Sequence, residues 1–177
     1  MTNNQNFRMN HPLIIVMGVS GSGKTTIGEL LAQHLHLPFY DGDDYHPAAN
    51  VAKMAAGHPL TDADRHDWLA TLAQHLGEWE QDQGAVLACS ALKETYRQTL
   101  QGGAKEHLRW VFLDGSYELL HSRLEGRHDH YMKADMLDSQ LATLEKPTYG
   151  LRIELAKGET PEQVVARIVE QLPASAA

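Results

Sequence analysis

The sequence has few of the features that mark secreted or membrane-spanning proteins. It contains one cysteine, Cys89, so no intramolecular disulfide can form, which fits a reducing cytosol. No apolar run exceeds five residues, far short of the roughly 20 that a membrane-spanning helix needs. Residues 1–11 are polar and lack the apolar segment of a secretory signal. We therefore expect a cytoplasmic protein without a membrane contact and with loose tails at residues 1–11 and 173–177.

Basic residues are also scarce. Lys and Arg number 15 against 23 Asp and Glu, which gives a net charge of −8 with histidine neutral. This balance disfavours general nucleic-acid binding, because nucleic acids are polyanions. It also gives an anionic substrate little long-range attraction, so local Arg and Lys side chains must hold it. The 11 histidines include no H-x-x-x-H pair, which disfavours a structural zinc site.

Length and composition predict one α/β domain over residues 12–172. The chain of 177 residues is 42% hydrophobic and 21% charged, as is usual for globular proteins. Short apolar segments alternate with helical patterns, which predicts a parallel sheet flanked by helices on both faces, a three-layer α/β/α fold. We predict strands at residues 13–17, 38–41, 85–89, 108–113 and 151–155, and helices to residue 35, at 47–56, from 61, at 92–100, 116–124 and 134–144, and from 160.

The most informative segment is residues 18–25, Gly-Val-Ser-Gly-Ser-Gly-Lys-Thr, which matches the phosphate-binding P-loop pattern G-x-x-x-x-G-K-[ST]. A predicted strand precedes it and a helix follows, so backbone N–H groups and the helix dipole form an anion site. Lys24 can reach the β- and γ-phosphates, and the Thr25 hydroxyl can ligate Mg²⁺. We predict ATP and Mg²⁺ as cofactors, with nucleotide bound by Gly18, Ser20, Gly21, Ser22, Gly23, Lys24, Thr25 and Thr26.

Two carboxylates, Asp41 and Asp43, flank Gly42 directly after the second predicted strand. Ligands of such sheets bind at the carboxyl ends of the strands, so both should lie near the P-loop. One carboxylate can hold Mg²⁺ directly or through water, and the other can accept the proton of an acceptor hydroxyl. The residues alone do not assign these two roles, and a solvated turn is the plainer alternative.

Several basic residues are candidates for binding an anionic acceptor or the nucleotide. Lys53, Arg65, Lys93 and Arg97 can each hold an anion, although each is equally explained as a charge on a helix surface. Arg123 and Arg127 flank a polar stretch that predicts a small lid at about residues 126–133. Such a lid closes over ATP and brings in an arginine to stabilise charge on the transferred group. Arg123 alternatively stacks on adenine.

These motifs resemble the gluconate kinase (gluconokinase) family, within the shikimate-kinase-like group of P-loop small-molecule kinases. The P-loop alone is generic, whereas the stretches His46-Pro47-x-x-Asn50-x-x-Lys53-Met54 and Cys89-Ser90-Ala91-Leu92-Lys93 are far more specific. The resemblance also includes residues 41–45, 57–62, 64–65, 68–69 and 96–97, and runs from about residue 13 to 145. Glu94 departs from the family pattern, because a second basic residue is common after Lys93.

The resemblance implies ATP-dependent phosphorylation of D-gluconate on its 6-hydroxyl, giving 6-phosphogluconate, by a cytoplasmic enzyme that is often a dimer. It implies that Asp43 lies at the acceptor hydroxyl and Asp41 near Mg²⁺. The catalytic residues would be Lys24, Asp43 and Arg127, the nucleotide would also contact Arg123, and the substrate would be bound by Asp43, His46, Lys53, Arg65, Lys93 and Arg97.

Two alternatives remain at this point. The first is a kinase of the same layout for another small sugar acid, a polyol or shikimate. The second is a non-catalytic P-loop nucleotide-binding module. The second is disfavoured because the chain has no Asn-Lys-x-Asp stretch for guanine, and because a switch would not need the carboxylate pair and the basic cluster.

Overall fold

The strands form one parallel sheet, as predicted. A computed structural model of the chain describes residues 11–126 and 130–172, with side chains of the second range described from Asp135 onward. The sheet order is β2-β3-β1-β4-β5, and every paired strand runs parallel. The strands are β1 (Leu13–Met17), β2 (Phe39–Asp41), β3 (Ala85–Ala88), β4 (Arg109–Asp114) and β5 (Leu151–Glu154).

Helices connect the strands and cover both faces of the sheet. They are α1 (Lys24–Leu35), α2 (Ala48–Ala55), α3 (Asp62–Asp82), α4 (Glu94–Gly103), α5 (Tyr117–Glu125), α6 (His130–Thr143) and α7 (Pro161–Gln171), with a 3-10 helix at Gly42–Tyr45. Helix α6 begins four residues earlier than predicted, because its first turn carries no apolar stripe in the sequence. No helix in the described ranges is both long and apolar enough to cross a membrane.

The core has two halves, one on each face of the sheet. Alternate residues of β1 supply both, because successive side chains of a strand point to opposite faces. Leu13, Ile15 and Met17 pack with α3 and α4, whereas Ile14 and Val16 pack with α1 and α7. Burial on both faces explains why β1 is continuously apolar. The three-layer α/β/α prediction is confirmed.

The site is positioned by the carboxyl ends of three neighbouring strands. β1 leads into the P-loop, β2 into the turn that holds Asp41 and Asp43, and β3 into residues 89–93. β1 lies in the middle of the sheet, between β3 and β4. The strand order reverses at this point, and a ligand-binding crevice forms at the carboxyl ends of the strands beside such a reversal.

The predicted tails fall almost entirely outside the described residues. Residues 1–10 and 173–177 are not described, and the first described residue, His11, donates its amide to the Glu80 carbonyl at 3.1 Å.

Candidate active site

The P-loop joins β1 to α1 and is shaped by glycines with positive φ. Gly18 (φ 152°), Gly21 (φ 84°) and Gly23 (φ 87°) adopt backbone conformations that favour glycine, and a Cβ on Gly18 would lie 2.8 Å from Ser22 Oγ. Ser22 is fully buried, and its hydroxyl donates to the Val19 carbonyl at 2.7 Å. Its side chain therefore supports the loop, and its contribution to a nucleotide site is limited to the backbone.

The first turn of α1 carries Lys24, Thr25 and Thr26 at the mouth of this loop. No side chain among the described residues caps the α1 N-terminus, so its N–H groups face an anion site. Lys24 Nζ donates to the Val19 carbonyl at 3.2 Å. Burial lowers the pKa of Lys24, and the nearby Asp43 carboxylate opposes that shift. Thr25 and Thr26 are exposed.

Asp41 is bound on both of its oxygens. Thr25 Oγ1 donates to Oδ2 at 2.7 Å, and the amide of Asp43 donates to Oδ1 at 3.0 Å, so Asp41 caps the 3-10 helix. The Thr25 hydroxyl and the Asp41 carboxylate are oxygen donors of the kind that Mg²⁺ prefers. The described residues contain no group of three or more His, Cys, Asp or Glu side chains placed to hold a metal. The pair therefore fits a cation that takes its other ligands from phosphate oxygens and water.

Asp43 differs from Asp41 because its carboxylate is free to meet a ligand. Its side chain is 83% exposed to the open cleft, and His46 Nε2 lies 4.0 Å from its Oδ1. Reduced hydration within the cleft and then the charge of Asp41 raise the pKa of Asp43, while Lys24 lowers it. The Asp-Gly-Asp sequence thus places one anchored and one free carboxylate beside the P-loop lysine.

His46 lies beneath Asp43 and is held in a neutral form. Its side chain is 4% exposed and stacks on Trp68 with ring centroids 4.2 Å apart. Burial, followed by the charge of Arg65, lowers the pKa of His46 to about 4. Asn50 Nδ2 lies 3.3 Å from Nδ1, so a proton on Nε2 satisfies both ring nitrogens and faces Asp43.

Two residues of the family-specific stretches frame this turn. Buried Asn50 donates to the Asp64 carbonyl at 2.8 Å, and Trp68 Nε1 donates to the Gly42 carbonyl at 2.7 Å. These contacts tie α2 and α3 to the turn after β2. Sequence reasoning named Asn50 only as a carrier of the resemblance. It expected Trp68 to pack in the core, where the structure places it at 2% exposure.

Across the cleft, Arg65, Lys93 and Tyr96 gather around Asp62. Arg65 Nη1 donates to the Tyr96 hydroxyl at 3.0 Å, the hydroxyl donates to Asp62, and Lys93 Nζ donates to Asp62 at 3.0 Å. The hydrogen bonds from Tyr96 and then Lys93 lower the pKa of Asp62. The structure therefore brings two of the four predicted basic residues together. Sequence reasoning included Asp62 in the family resemblance but gave it no role in the site, because its partners are 31 and 34 residues away.

The other two predicted basic residues are committed to protein partners. Lys53 Nζ donates to Asp64 Oδ2 at 2.6 Å, and this bond, with those from Thr61, lowers the pKa of Asp64 to about 2. Arg97 is only 2% exposed, and its guanidinium bonds backbone carbonyls beneath the cleft. The structure does not bring Arg97 to the surface where a substrate would bind.

Helices α5 and α6 each contact the P-loop. Arg123 Nη1 lies 3.3 Å from the Gly21 carbonyl and 3.5 Å from the Ser22 carbonyl, so this side chain lies against the P-loop. Ser20 donates its amide to Gln140 Oε1 at 2.7 Å, a contact that no sequence pattern indicated. Arg127, and with it the centre of the predicted lid, lies outside the described residues.

Cys89 has no part in this chemistry. The thiol is 2% exposed, and burial raises its pKa to about 12, so it is protonated and unreactive at neutral pH.

Comparison with known proteins agrees with this arrangement. The shikimate kinase family model matches residues 20–173. The chain is 45% identical to the gluconokinase of Gluconobacter oxydans over 163 residues, covering 91% of each chain. It is 40% identical to the thermoresistant gluconokinase of Escherichia coli, covering 77% of this chain and 78% of the relative.

A solved structure gives the same result. A gluconokinase from Sinorhizobium meliloti superposes with a TM-score of 0.81 at 38% identity, covering 92% of each chain. The chain belongs to the gluconokinase family. Its members are P-loop kinases of the shikimate-kinase-like group, and membership implies an enzyme that uses ATP, typically with a divalent metal ion, and acts on a small molecule.

Proposed function

We propose that this gluconokinase-family enzyme transfers the γ-phosphoryl group of ATP, as its Mg²⁺ complex, to the 6-hydroxyl of D-gluconate. The observation that carries the proposal is the pair of carboxylates after β2. Asp41 is hydrogen-bonded to Thr25 of the P-loop, and Asp43 stands free beside Lys24. This arrangement separates the tasks of holding a cation and accepting a proton.

Binding of ATP would rest on the P-loop. The α1 N–H groups and Lys24 bind the phosphates, and Arg123 approaches from α5. Thr25 and Asp41 would hold Mg²⁺, which when bound neutralises charge on the phosphate oxygens. Lys24 must leave its hydrogen bond to the Val19 carbonyl to reach a phosphate. Its partly buried position strengthens the attraction between its ammonium group and the phosphate.

Acceptance of the proton falls to Asp43. Both oxygens of Asp41 already accept hydrogen bonds, whereas Asp43 has no such donor among the described residues. Its raised pKa makes it a better base than an ordinary aspartate. As the acceptor oxygen bonds to phosphorus, its proton moves to the Asp43 carboxylate. His46 presents a neutral N–H to the same region and orients the acceptor.

Recognition of the substrate carboxylate falls to Arg65. Lys93 and Lys53 are each paired with an aspartate, so a new anion would have to compete with Asp62 or Asp64. The only described hydrogen bond of the Arg65 guanidinium goes to the uncharged Tyr96 hydroxyl, which leaves most of its N–H donors available. A guanidinium fork fits a carboxylate with two parallel hydrogen bonds. Of the four basic residues predicted to hold an anion, Arg65 is therefore the one that we assign to the substrate carboxylate.

Other parts of the proposal rest on composition and family resemblance. The net charge of −8 supports a protein that does not bind nucleic acid. A cytoplasmic location and a homodimer are expected from the family, and gel filtration with light scattering tests the dimer.

The test is an ADP-release screen with Mg²⁺-ATP across D-gluconate, other sugar acids, polyols and shikimate. We expect turnover that depends on D-gluconate. Shikimate is the most informative alternative substrate in this screen, because the shikimate kinase family model matches the chain. Turnover with shikimate and none with gluconate would overturn the assignment, and slow hydrolysis independent of any acceptor would favour a nucleotide-binding module.

A further inference from the structure

Arg97 is a buried cation whose whole guanidinium is engaged by the protein. Nη1 donates to the carbonyls of Ala91 (2.7 Å) and Leu92 (3.3 Å), and Nη2 donates to the Glu145 carbonyl (2.9 Å). Nε donates to the Tyr149 hydroxyl at 2.9 Å and to the Glu94 carboxylate at 3.1 Å. The side chain is 2% exposed. Such a residue acts on the positions of other groups and not on a ligand.

The first of those groups is the loop at residues 89–93, which follows β3 at the edge of the sheet that holds the cleft. Ala91 lies in this loop with φ +47° and is fully buried. A left-handed backbone is disfavoured for a residue with a Cβ, and such conformations persist where surrounding contacts impose them. The shortest of the Arg97 hydrogen bonds to this loop ends on the Ala91 carbonyl. Two residues further on, Lys93 bonds Asp62 at the cleft.

The second group is the segment just after α6. The amide of Glu145 donates to the Leu92 carbonyl at 2.8 Å, and Glu145 Oε1 accepts from the amide of Glu94 at 3.0 Å. Arg97 joins the same set of contacts, because its Nη2 donates to the Glu145 carbonyl. One side chain thus fixes the β3 loop against the segment that follows α6.

We propose that Arg97 is a positioning residue for the acceptor site. It holds residues 90–93 in the conformation that places Lys93 against Asp62 and Tyr96, and thereby sets the place of Arg65, which bonds Tyr96. This inference rests on the proposed function, because it expects a change at Arg97 to weaken binding of the acceptor substrate and to leave binding of ATP unchanged. Glu94, which departs from the family pattern, is explained by the same network, since its carboxylate bonds Arg97.

The chemistry of the side chain explains why arginine is needed. Three backbone carbonyls and two side-chain oxygens surround it, and only a guanidinium has donors spread over a plane wide enough to reach them. Lysine keeps the charge but concentrates its donors at one nitrogen. In Arg97→Lys some of the buried carbonyls therefore lose their donor, and the loop is released while the net charge is unchanged.

The experiment compares Arg97→Lys with Arg167→Lys. Arg167 is a matched control because it also bonds a carboxylate and a backbone carbonyl, those of Glu159 and Glu154, but it lies on α7 behind the opposite face of the sheet. Both variants are assayed well below their melting temperatures for gluconate KM, ATP KM and kcat. Amide hydrogen exchange is measured over residues 89–93.

We expect Arg97→Lys to raise the gluconate KM on the order of 10- to 100-fold, the effect of small misplacement of binding groups, with ATP KM changed less than about twofold. Exchange over residues 89–93 should become faster. Arg167→Lys should lower the melting temperature without either effect. Tyr149→Phe, at an exposed position, removes one bond to Arg97 and should shift gluconate KM in the same direction by a smaller factor.

Wild-type enzyme that fails to turn over gluconate contradicts the proposed function. Wild-type enzyme that turns it over, with gluconate KM unchanged in Arg97→Lys, contradicts the role of Arg97 alone. If Arg97→Lys does not fold, an unchanged gluconate KM in Tyr149→Phe refutes the role instead.

Discussion

Replacement of Asp43 by asparagine tests the assignment of the proton acceptor. The change preserves the shape of the side chain and removes its ability to take a proton. Asp43 is 83% exposed, and the hydrogen bond from its amide to Asp41 remains, so the turn after β2 should keep its structure. We expect kcat to fall by roughly 10²–10⁴-fold, the usual effect of losing a general base. That range corresponds to about 3–5 kcal/mol in the barrier.

The assay is gluconate-dependent ADP release at saturating substrates, with ATP affinity measured separately by titration. Asp44→Asn is the matched control, since it makes the same change in charge at the next residue of the same exposed turn. Asp41→Asn should instead raise the Mg²⁺ requirement, because Asp41 is the carboxylate bonded to Thr25. As the pH is lowered, kcat/KM of the wild-type enzyme should fall with an apparent pKa above that of an ordinary aspartate, since the pKa of Asp43 is raised.

Two results would refute this reasoning. If Asp43→Asn keeps a near-normal kcat but loses ATP affinity, the two carboxylates have the opposite roles. If Asp44→Asn lowers kcat as much as Asp43→Asn, the effect reflects the charge of the turn and not proton transfer by one residue.

Three further predictions address other parts of the site. Lys24→Ala should abolish turnover while circular dichroism and the melting temperature stay near wild type, because the only described hydrogen bond of the Lys24 side chain goes to the Val19 carbonyl; residual turnover above about 10% would contradict a phosphate-binding role. Arg65→Met should raise gluconate KM far more than ATP KM, and equal shifts would place the substrate carboxylate elsewhere. The pKa of His46 is about 4 in the folded protein and about 6.5 when unfolded. The unfolded state therefore binds more protons between these values, and stability should fall as pH drops from 6.5 to 4 by up to about 3 kcal/mol. His46→Gln should flatten that part of a denaturant-midpoint profile, and an unchanged slope would refute the assignment.

Local sequence signals predicted the elements that depend on neighbours along the chain. Strand β1 and the P-loop were predicted where they lie, because an apolar run, a fixed spacing of glycines and a helix start are all local features. The same holds for the start of α3, where Thr61 and Asp64 form a capping box. Parallel pairing then brings the carboxyl ends of β1 and β2 together, so the closeness of Asp41 to Thr25 also followed from the sequence.

Contacts between distant segments were beyond such reasoning. Gln140 and Ser20 are 120 residues apart, and neither residue type signals the other. Arg97 shows the same limit for a charged residue on a helix. A helical wheel of α4 places it three residues before buried Leu100, yet its charge made a surface position the ordinary expectation. The five protein oxygens around the Arg97 guanidinium come together only when α4 packs against the segment after α6.

The two aspartates after β2 show how backbone geometry divides identical side chains between tasks. The sequence Asp-Gly-Asp contains nothing that tells the first carboxylate from the second. In the fold, Asp41 ends β2 with an extended backbone and becomes the cap of the 3-10 helix, so its oxygens accept from the Asp43 amide and from Thr25. The Asp41 carboxylate is thereby held beside the Thr25 hydroxyl, which suits a cation ligand. Asp43 falls inside the first turn, where its own amide is used and its carboxylate is not. The capping position, more than the residue type, therefore decides which of the two is left free to take a proton.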